Sequence, residues 1–170
     1  MGVECTFFSV LESDIPQATE PPQETSDLLR YYDDEGALME QLEENPALNL
    51  GKAWDAVHFS LGAHEDDHPL AFIESGGEDI PALGDGEMSH GRYFDAPGVV
   101  RIREAVLALP EVDLARNFAK RDQVEDPDSL YPTGLRPFDV EDVLYEVKRI
   151  RVFLDEVTVA KRGLIVHIAG

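Results

Sequence analysis

Residues 164–169 read LIVHIA, an apolar run that follows Gly163 and contains one histidine. A short, almost continuous run of aliphatic residues is typical of a β-strand that is buried on both faces of a sheet. Such a strand needs a neighbouring strand to pair with. The strongest candidate for this neighbour lies at the opposite end of the chain.

Residues 3–10, VECTFFSV, are rich in β-branched and aromatic side chains, with Cys5 and Phe7 on one face, and predict a strand. Pairing the first strand with the last closes one core and leaves the helices between them. A chain of 170 residues is also the size of one ordinary domain. We therefore predict an α+β fold: a single domain over residues 1–170, with helices packed on a small sheet that contains the N- and C-terminal strands.

Apolar residues at helical spacing, together with capping and breaking residues, predict the helices. Their expected limits are Ser26 to about Glu44, Asn49 to Gly62, Asp95 to Pro110, a shorter helix from Asp113, and the longest helix from Asp139. Residues 69–74 are expected to be a short buried piece. The glycines and prolines between positions 76 and 91 predict a long loop region.

The formal net charge of −21 is distributed unevenly. Residues 1–100 contain 22 acidic residues and three basic ones, whereas residues 101–170 contain 13 acidic and 11 basic residues. A negative surface repels phosphate backbones, so we predict no nucleic-acid binding. It would attract a basic protein partner, although an acidic proteome or a need for solubility explains the same charge.

The cellular setting follows from two further features. Cys5 is the only cysteine, which excludes an internal disulfide and favours a reducing compartment. No apolar run approaches the roughly 20 residues of a membrane span, and no secretory signal is visible. We therefore expect a cytoplasmic protein that makes no contact with the membrane.

Residues 64–68, HEDDH, match the H-E-x-x-H pattern of helical zinc sites. Such a site needs both histidines on one rigid helix. Here Gly62 precedes the motif, and Pro69 biases His68 away from helical geometry. We predict an exposed acidic loop, no metal site and no cofactor; the alternative is a weakly held divalent ion, with His90 as a further ligand.

Five residues are candidates for ligand binding: Lys52, Trp54, His58, Arg92 and Tyr93. Trp54 and His58 are one helical turn apart, which places an acid or base next to an aromatic ring. Arg92 follows Gly91 and could direct a guanidinium at a carboxylate or phosphate. The alternative is structural: a core tryptophan beside a histidine bonded to the backbone, and an internal salt bridge for Arg92.

Several stretches together resemble the YfbM-like family. They are LNLGKAWDAVHFSLG at 48–62, Pro69-Leu70, Arg92-Tyr93-Phe94, Tyr131-Pro132 and the apolar C-terminal strand. The family usually ends the first of these in a Leu-Thr-Gly-like sequence, where this chain has Ser60-Leu61-Gly62. The resemblance implies a bacterial, cytoplasmic α+β domain. It transfers no catalytic residue, because the family has no established activity.

No sequence motif predicts a reaction, and the catalytic residues stay unknown. The sequence favours a small acidic cytoplasmic binding or regulatory module that masks a basic protein partner. The alternative is a small-molecule binder or hydrolase-type enzyme with a pocket near Trp54, His58, Arg92 and Tyr93.

Overall fold

The computed structural model describes residues 3–14, 38–62, 64–84, 89–120 and 138–170. Within them the strands are β1 (Glu4–Val10), β2 (Ala47–Gly51), β3 (Glu78–Asp79), β4 (His90–Phe94) and β5 (Gly163–Ala169). The helices are α1 (Trp54–Leu61), α2 (Ala96–Ala108), α3 (Glu111–Lys120) and α4 (Val140–Val159). Residues 38–43 are also helical, and 3-10 turns occur at Glu12–Asp14, Pro69–Ala71 and Pro81–Leu83.

The five strands form one antiparallel sheet in the order β2-β1-β5-β4-β3. β1 and β5 are neighbours and pair along their whole length, from Glu4 opposite Ala169 to Val10 opposite Gly163. The predicted pairing of the first and last strands is confirmed, and so is the α+β fold.

Apolar side chains pack on both faces of this sheet. Successive residues of a strand point to opposite faces, so Phe7 and Val166 join the core under the helices, whereas their neighbours Phe8 and Ile165 do not. These neighbours belong to a second, smaller core, formed by Phe8, Val10, Leu42, Ile80, Leu83, Tyr93 and Ile165. Burial on both sides explains why β5 is almost entirely apolar.

The predicted start of the second helix at Asn49 is wrong. Residues 47–51 form strand β2, in which Leu48 and Leu50 are buried and Asn49 is exposed. The Asn49 side chain accepts a hydrogen bond from the backbone N–H of Gly51, and the helix begins only at Trp54. The alternation of buried and exposed residues around Asn49 has the period of a strand, although Leu50 and Trp54 also fit a helical spacing.

The other helix starts agree better with the predictions. Asp95 caps α2 by accepting a hydrogen bond from Gly98 N at 2.7 Å, and Asp139 and Asp142 form a capping box at the start of α4. α3 begins at Glu111, ahead of the predicted Asp113. Residues 26–37 of the predicted first helix lie outside the described residues. None of the helices in the described part of the chain is long and apolar enough to cross a membrane.

The segment from 76 to 91 was predicted as a loop but contributes to the sheet. Glu78 pairs with Tyr93 and Asp79 with Arg92, so β3 is an edge strand on β4. A Cβ on Gly91 would lie 2.6 Å from Leu83 Cβ. Glycine within a strand permits this close approach, so Gly91 marks a packing contact rather than a loop.

Candidate functional site

A cavity of about 270 Å³ opens beside β3. Its walls come from the loop at 67–69, the segment at 76–78, the end of β4 and the first two turns of α2. The lining residues are Asp67, His68, Pro69, Gly76, Gly77, Glu78, Tyr93, Phe94, Asp95, Gly98, Arg101 and Ile102. We refer to residues 64–79, together with β4 and the first two turns of α2, as the β3 edge.

The polar part of the cavity lining is mainly anionic. Asp67, Glu78 and Asp95 contribute exposed carboxylates, and Arg101 is the one Lys or Arg among the described lining residues. Within the part of the chain that the structure describes, neither Asp67 nor Glu78 forms an ion pair. Unneutralised carboxylates around a concave surface create a negative potential that favours cationic groups.

Backbone geometry fixes the two free carboxylates at the cavity rim. Gly76 and Gly77 have φ values of 77° and 67°, and a Cβ on Gly77 would lie 2.5 Å from the carbonyl oxygen of Tyr93. This contact presses the segment against β4 and positions Glu78. Asp67 also has a positive φ of 68°, a conformation that aspartate tolerates better than most residues.

The third carboxylate, Asp95, has a structural task. Its Oδ1 caps α2 through Gly98 N, so the side chain is held at the first turn of the helix. The Arg101 guanidinium lies near the same turn, with Nη2 3.7 Å from the position that a Cβ on Gly98 would take. Asp67 and Glu78 are therefore the carboxylates most available to a ligand.

Arg92, on strand β4, holds residues 76–79 against the sheet. Its Nη1 donates to the carbonyl oxygen of Gly76 at 3.0 Å and lies 3.3 Å from Oδ1 of Asp79. The guanidinium thus ties the segment at 76–79 to the sheet. The structure places Arg92 in an internal salt bridge within a strand rather than on a flexible loop.

His58 and Glu74 form a half-exposed acid–base pair on the other side of the same segment. His58 Nε2 lies 3.1 Å from Glu74 Oε2, and their side chains are 22% and 45% exposed. This hydrogen bond lowers the pKa of Glu74, against the opposing effect of its burial. His58 Nδ1 is buried and has no hydrogen-bond partner among the described residues. Proton exchange with a bound molecule would therefore have to pass through Glu74.

The environment at the beginning of β4 disfavours the protonated form of two histidines, His90 and His167. Burial is the main cause that lowers the pKa of His90, and the neighbouring Arg92 lowers it further, while a hydrogen bond to the Ile73 backbone opposes both. Burial, followed by the proximity of His90, lowers the pKa of His167 on the adjacent strand β5. Both rings are therefore held in their neutral form over a wider pH range than free histidine.

The structure does not gather the five predicted ligand-binding residues in one place. Lys52 is exposed in the turn before α1, and the buried Trp54 donates its indole N–H to the carbonyl oxygen of Val3 at 3.1 Å. Tyr93 is buried in the smaller core, on the opposite face of the sheet from Arg92. Desolvation in this position raises the pKa of Tyr93 to about 12.

His58 and Arg92 nevertheless both contact residues 74–79. His58 contacts Glu74, and Arg92 contacts Gly76 and Asp79. Of the five predicted residues, Tyr93 is the one that also lines the cavity. The candidate site is thus centred on residues 67–78 and only partly overlaps the predicted set.

The HEDDH motif is an exposed loop, as predicted, and not a helix. His64 Nε2 lies 2.9 Å from the carbonyl oxygen of Leu61, and His68 Nδ1 accepts a hydrogen bond from Leu70 N at 3.1 Å. The two rings stack with centroids 4.0 Å apart. Within the described ranges, no group of three or more His, Cys, Asp or Glu side chains is arranged to hold a metal ion.

Sequence reasoning missed Asp67, Glu74 and Glu78. One signal was present, since the Gly76-Gly77 pair stands between acidic residues, and consecutive glycines indicate a backbone of positive φ. That signal predicts a tight turn, but it does not show which surface the turn packs against. The convergence of positions 67, 78 and 95 depends on tertiary structure.

The sequence and the fold both match known proteins. Residues 1–167 match the family described as a domain of unknown function, DUF1877. The fold is similar to the crystal structure of YfbM, a protein of unknown function from Escherichia coli, with a TM-score of 0.64 and 14% sequence identity over 98% of this chain and 99% of that one. No curated protein matches the sequence. The predicted resemblance to the YfbM-like family is confirmed.

Proposed function

The chain belongs to the DUF1877 family, which assigns it no activity, and we propose that it is a small acidic binding module that masks a basic protein partner. One observation carries this proposal: the free carboxylates of Asp67 and Glu78 stand at the rim of one cavity. Exposed acidic residues continue on either side of them, at Asp66 and Asp79.

The size of the cavity is compatible with the insertion of one side chain of a protein partner. Pockets for drug-sized ligands usually enclose about 300–1,000 Å³, and this one encloses about 270 Å³. A single long side chain suits that volume. An arginine or lysine of the partner would place its charge between Asp67 and Glu78, and its methylene groups would cover Phe94 and Ile102.

The charge of the wider surface supports the same partner. All but two of the lining residues belong to residues 1–100, where acidic residues greatly outnumber basic ones, so a basic protein would be attracted before contact. Charged residues on an edge strand also prevent edge-to-edge pairing, which explains Glu78 and Asp79 without a partner. Protection of the edge strand requires no contribution from Asp67. It also predicts no specific binding of a basic peptide at the cavity, whereas a binding site for a basic partner does.

The test uses a fluorescent tetra-arginine peptide as the probe, measured by anisotropy at low and high salt. The site variant is Asp67→Asn with Glu78→Gln; Asp95 is left intact because it caps α2. The matched control, Glu43→Gln with Glu104→Gln, removes the same two charges at exposed positions outside the lining. We expect the site variant to bind about tenfold more weakly or worse, and the control to bind like the wild type.

The same three proteins then serve as baits in a cell lysate. The proposal expects a basic protein that the wild type and the control retain at low salt and that the site variant loses. Equal weakening by the site variant and the control would contradict it, because the attraction would then follow net charge alone. Binding that is indifferent to salt would contradict it as well.

A second candidate function is a small-ligand or hydrolase-type site at His58, without Trp54 and Tyr93, which are buried in separate cores. The observation that favours it is the His58–Glu74 pair, whose carboxylate is half exposed. Hydrolysis of an activated ester such as p-nitrophenyl acetate should then be lost in His58→Gln and in Glu74→Gln but retained in Lys52→Ala. Equal background rates in all three would remove this candidate.

The cellular setting that we propose is the bacterial cytoplasm. The single cysteine, Cys5, is fully buried, and burial raises the pKa of its thiol, so it takes no part in disulfide exchange. The similar fold of a protein from Escherichia coli supports the bacterial source but not the compartment. Immunofluorescence or fractionation of the source cells tests it directly.

A further inference from the structure

Helix α4 has a second apolar surface on the side that faces away from the core. Tyr145, Val152 and Val159 are 62%, 59% and 84% exposed. They are seven residues apart, which is two helical turns, so they form one line along the helix. We call these three residues the α4 stripe. The core-facing side of the helix is already occupied by other residues, such as Val147 and Leu154.

The stripe borders a groove at the opposite edge of the sheet from β3. This groove of about 430 Å³ lies between α4 and the edge strand β2, and its lining includes Leu48, Val152 and Phe153. An apolar line beside an apolar groove is an unusual surface for a chain with a net charge of −21. It marks a place where another apolar surface can be buried.

The charges beside the stripe change sign at its centre. Lys148 and Arg149 lie within one turn before Val152, and Glu156 lies one turn after it. If two α4 helices pack antiparallel around Val152, Lys148 of each helix meets Glu156 of the other. A parallel arrangement would instead oppose Lys148 to Lys148 and Glu156 to Glu156.

We propose that the α4 stripe binds a second copy of this chain, in an antiparallel arrangement with a two-fold axis near Val152. A two-fold interface must be self-complementary, and an apolar centre flanked by opposite charges has that property. Lys148 is at present 3.5 Å from Glu111, and Arg149 is 2.7 Å from Glu146. The Lys148–Glu111 pair is exposed on both sides and contributes little to stability, so Lys148 can be rearranged at low cost. Arg149 keeps its part-buried pair with Glu146.

The first test measures the mass of the full chain by sedimentation over a range of concentrations at physiological salt, where long-range repulsion is screened. The variant Val152→Glu places a like charge on each side of the axis. The control Val112→Glu adds the same charge at a 63% exposed valine on α3. We expect a wild-type dimer whose dissociation constant rises about 100-fold or more in Val152→Glu and changes by no more than about twofold in Val112→Glu.

Thermal unfolding serves as the control for folding. We expect both variants to be folded, because both positions are exposed. A chain that remains monomeric at the highest concentration reached would overturn the proposal. A dimer that Val152→Glu leaves intact, or that Val112→Glu weakens equally, would overturn it as well.

The orientation is tested by exchanging charges and by cross-linking. Lys148→Glu should weaken the dimer, and adding Glu156→Lys should restore it, because the exchanged pair again meets with opposite signs. Val152→Cys should form a disulfide-linked dimer under mild oxidation, whereas Val112→Cys should not. The native Cys5 is fully buried and does not interfere. Failure of the double exchange to restore the dimer would exclude the antiparallel arrangement.

Discussion

The two edges of the sheet present opposite kinds of surface. The β3 edge carries carboxylates around a small cavity, and close backbone contacts at Gly76 and Gly77 determine its shape. The β2 edge, with α4 beside it, carries an apolar stripe flanked by charges of both signs. The comparison shows that a strongly acidic chain does not have a uniform surface. We propose a basic partner for the first edge and a second copy of the chain for the other.

Among single substitutions at the β3 edge, Gly77→Ala should destabilise the protein most. A methyl group at this position would meet the Tyr93 carbonyl oxygen at 2.5 Å, and the residue has a φ of 67°. Neither the backbone of β4 nor the positive φ can adjust easily. We expect the free energy of unfolding, measured by urea denaturation, to fall by about 2–4 kcal/mol.

Substitutions at two other glycines distinguish the cost of a positive φ from the cost of the steric clash at Gly77. Gly76 has a φ of 77°, but the nearest atom to an added Cβ is 3.5 Å away, so Gly76→Ala should cost only about 1 kcal/mol. At Gly84 the nearest atom is also 3.5 Å away and φ is −129°, so Gly84→Ala should stay within about 0.5 kcal/mol of the wild type. Equal costs at all three positions would contradict the structural account of the β3 edge.

Two partly buried histidines, His90 on β4 and His167 on β5, should make the free energy of unfolding depend on pH. The folded state lowers the pKa of His90 below 6.5, mainly by burial, so it binds fewer protons than the unfolded chain. Stability from this group is therefore present above pH 6.5 and is lost as the pH falls below it, towards the lower pKa of the folded state. Glu74, whose pKa is also lowered, should cause a further loss as the pH falls below 4.5, the ordinary pKa of a glutamate.

Urea denaturation between pH 7.5 and pH 5 measures this dependence. The variant His90→Gln should lose less stability than the wild type as the pH falls, because glutamine does not titrate. His167 on β5 makes a similar contribution, since its pKa is lowered as well, so the double variant with His167→Gln should be flatter still. If both variants follow the wild-type curve, the acid sensitivity arises elsewhere than at the β4–β5 end of the sheet.

The sequence predicts those parts of the fold that depend on local patterns. Alternating or continuous apolar residues identify β1 and β5, and the aspartates at 95 and 139 identify the starts of α2 and α4. β2 was mistaken for the start of a helix because Leu50 and Trp54 also fit a helical spacing. A five-residue strand contains too few alternations to decide between the two periods.

The candidate site is less predictable for a physical reason. Asp67, Glu78 and Asp95 are far apart in the sequence and come together only because β3 pairs with β4 and α2 starts at the end of β4. Sequence patterns locate a turn at Gly76-Gly77, but the carbonyl that this turn contacts belongs to Tyr93, sixteen residues away from Gly77. Contacts over such a separation follow from strand register, which a single sequence does not determine.

Double-mutant cycles can compare the coupling energies of two ion pairs, one from each side of the molecule. His58 and Glu74 are 22% and 45% exposed, whereas Lys148 and Glu111 are 64% and 53% exposed at a longer distance of 3.5 Å. Solvent screens exposed charges, and long side chains lose entropy when they are held in a pair. We expect a coupling energy of about 0.5–1 kcal/mol for the first pair and about 0–0.3 kcal/mol for the second.

The cycles use His58→Gln with Glu74→Gln and Lys148→Gln with Glu111→Gln, each measured by urea denaturation of the single and double variants. The second cycle is run at a concentration low enough for a monomer, because the proposed dimer would otherwise add its own coupling at Lys148. A coupling at Lys148–Glu111 that equals or exceeds that of His58–Glu74 would mean that the α4 surface is fixed by its own ion pairs. The assumption that Lys148 can leave Glu111 at low cost to meet a second copy would then be wrong. The proposal for the cavity at the β3 edge would be unaffected.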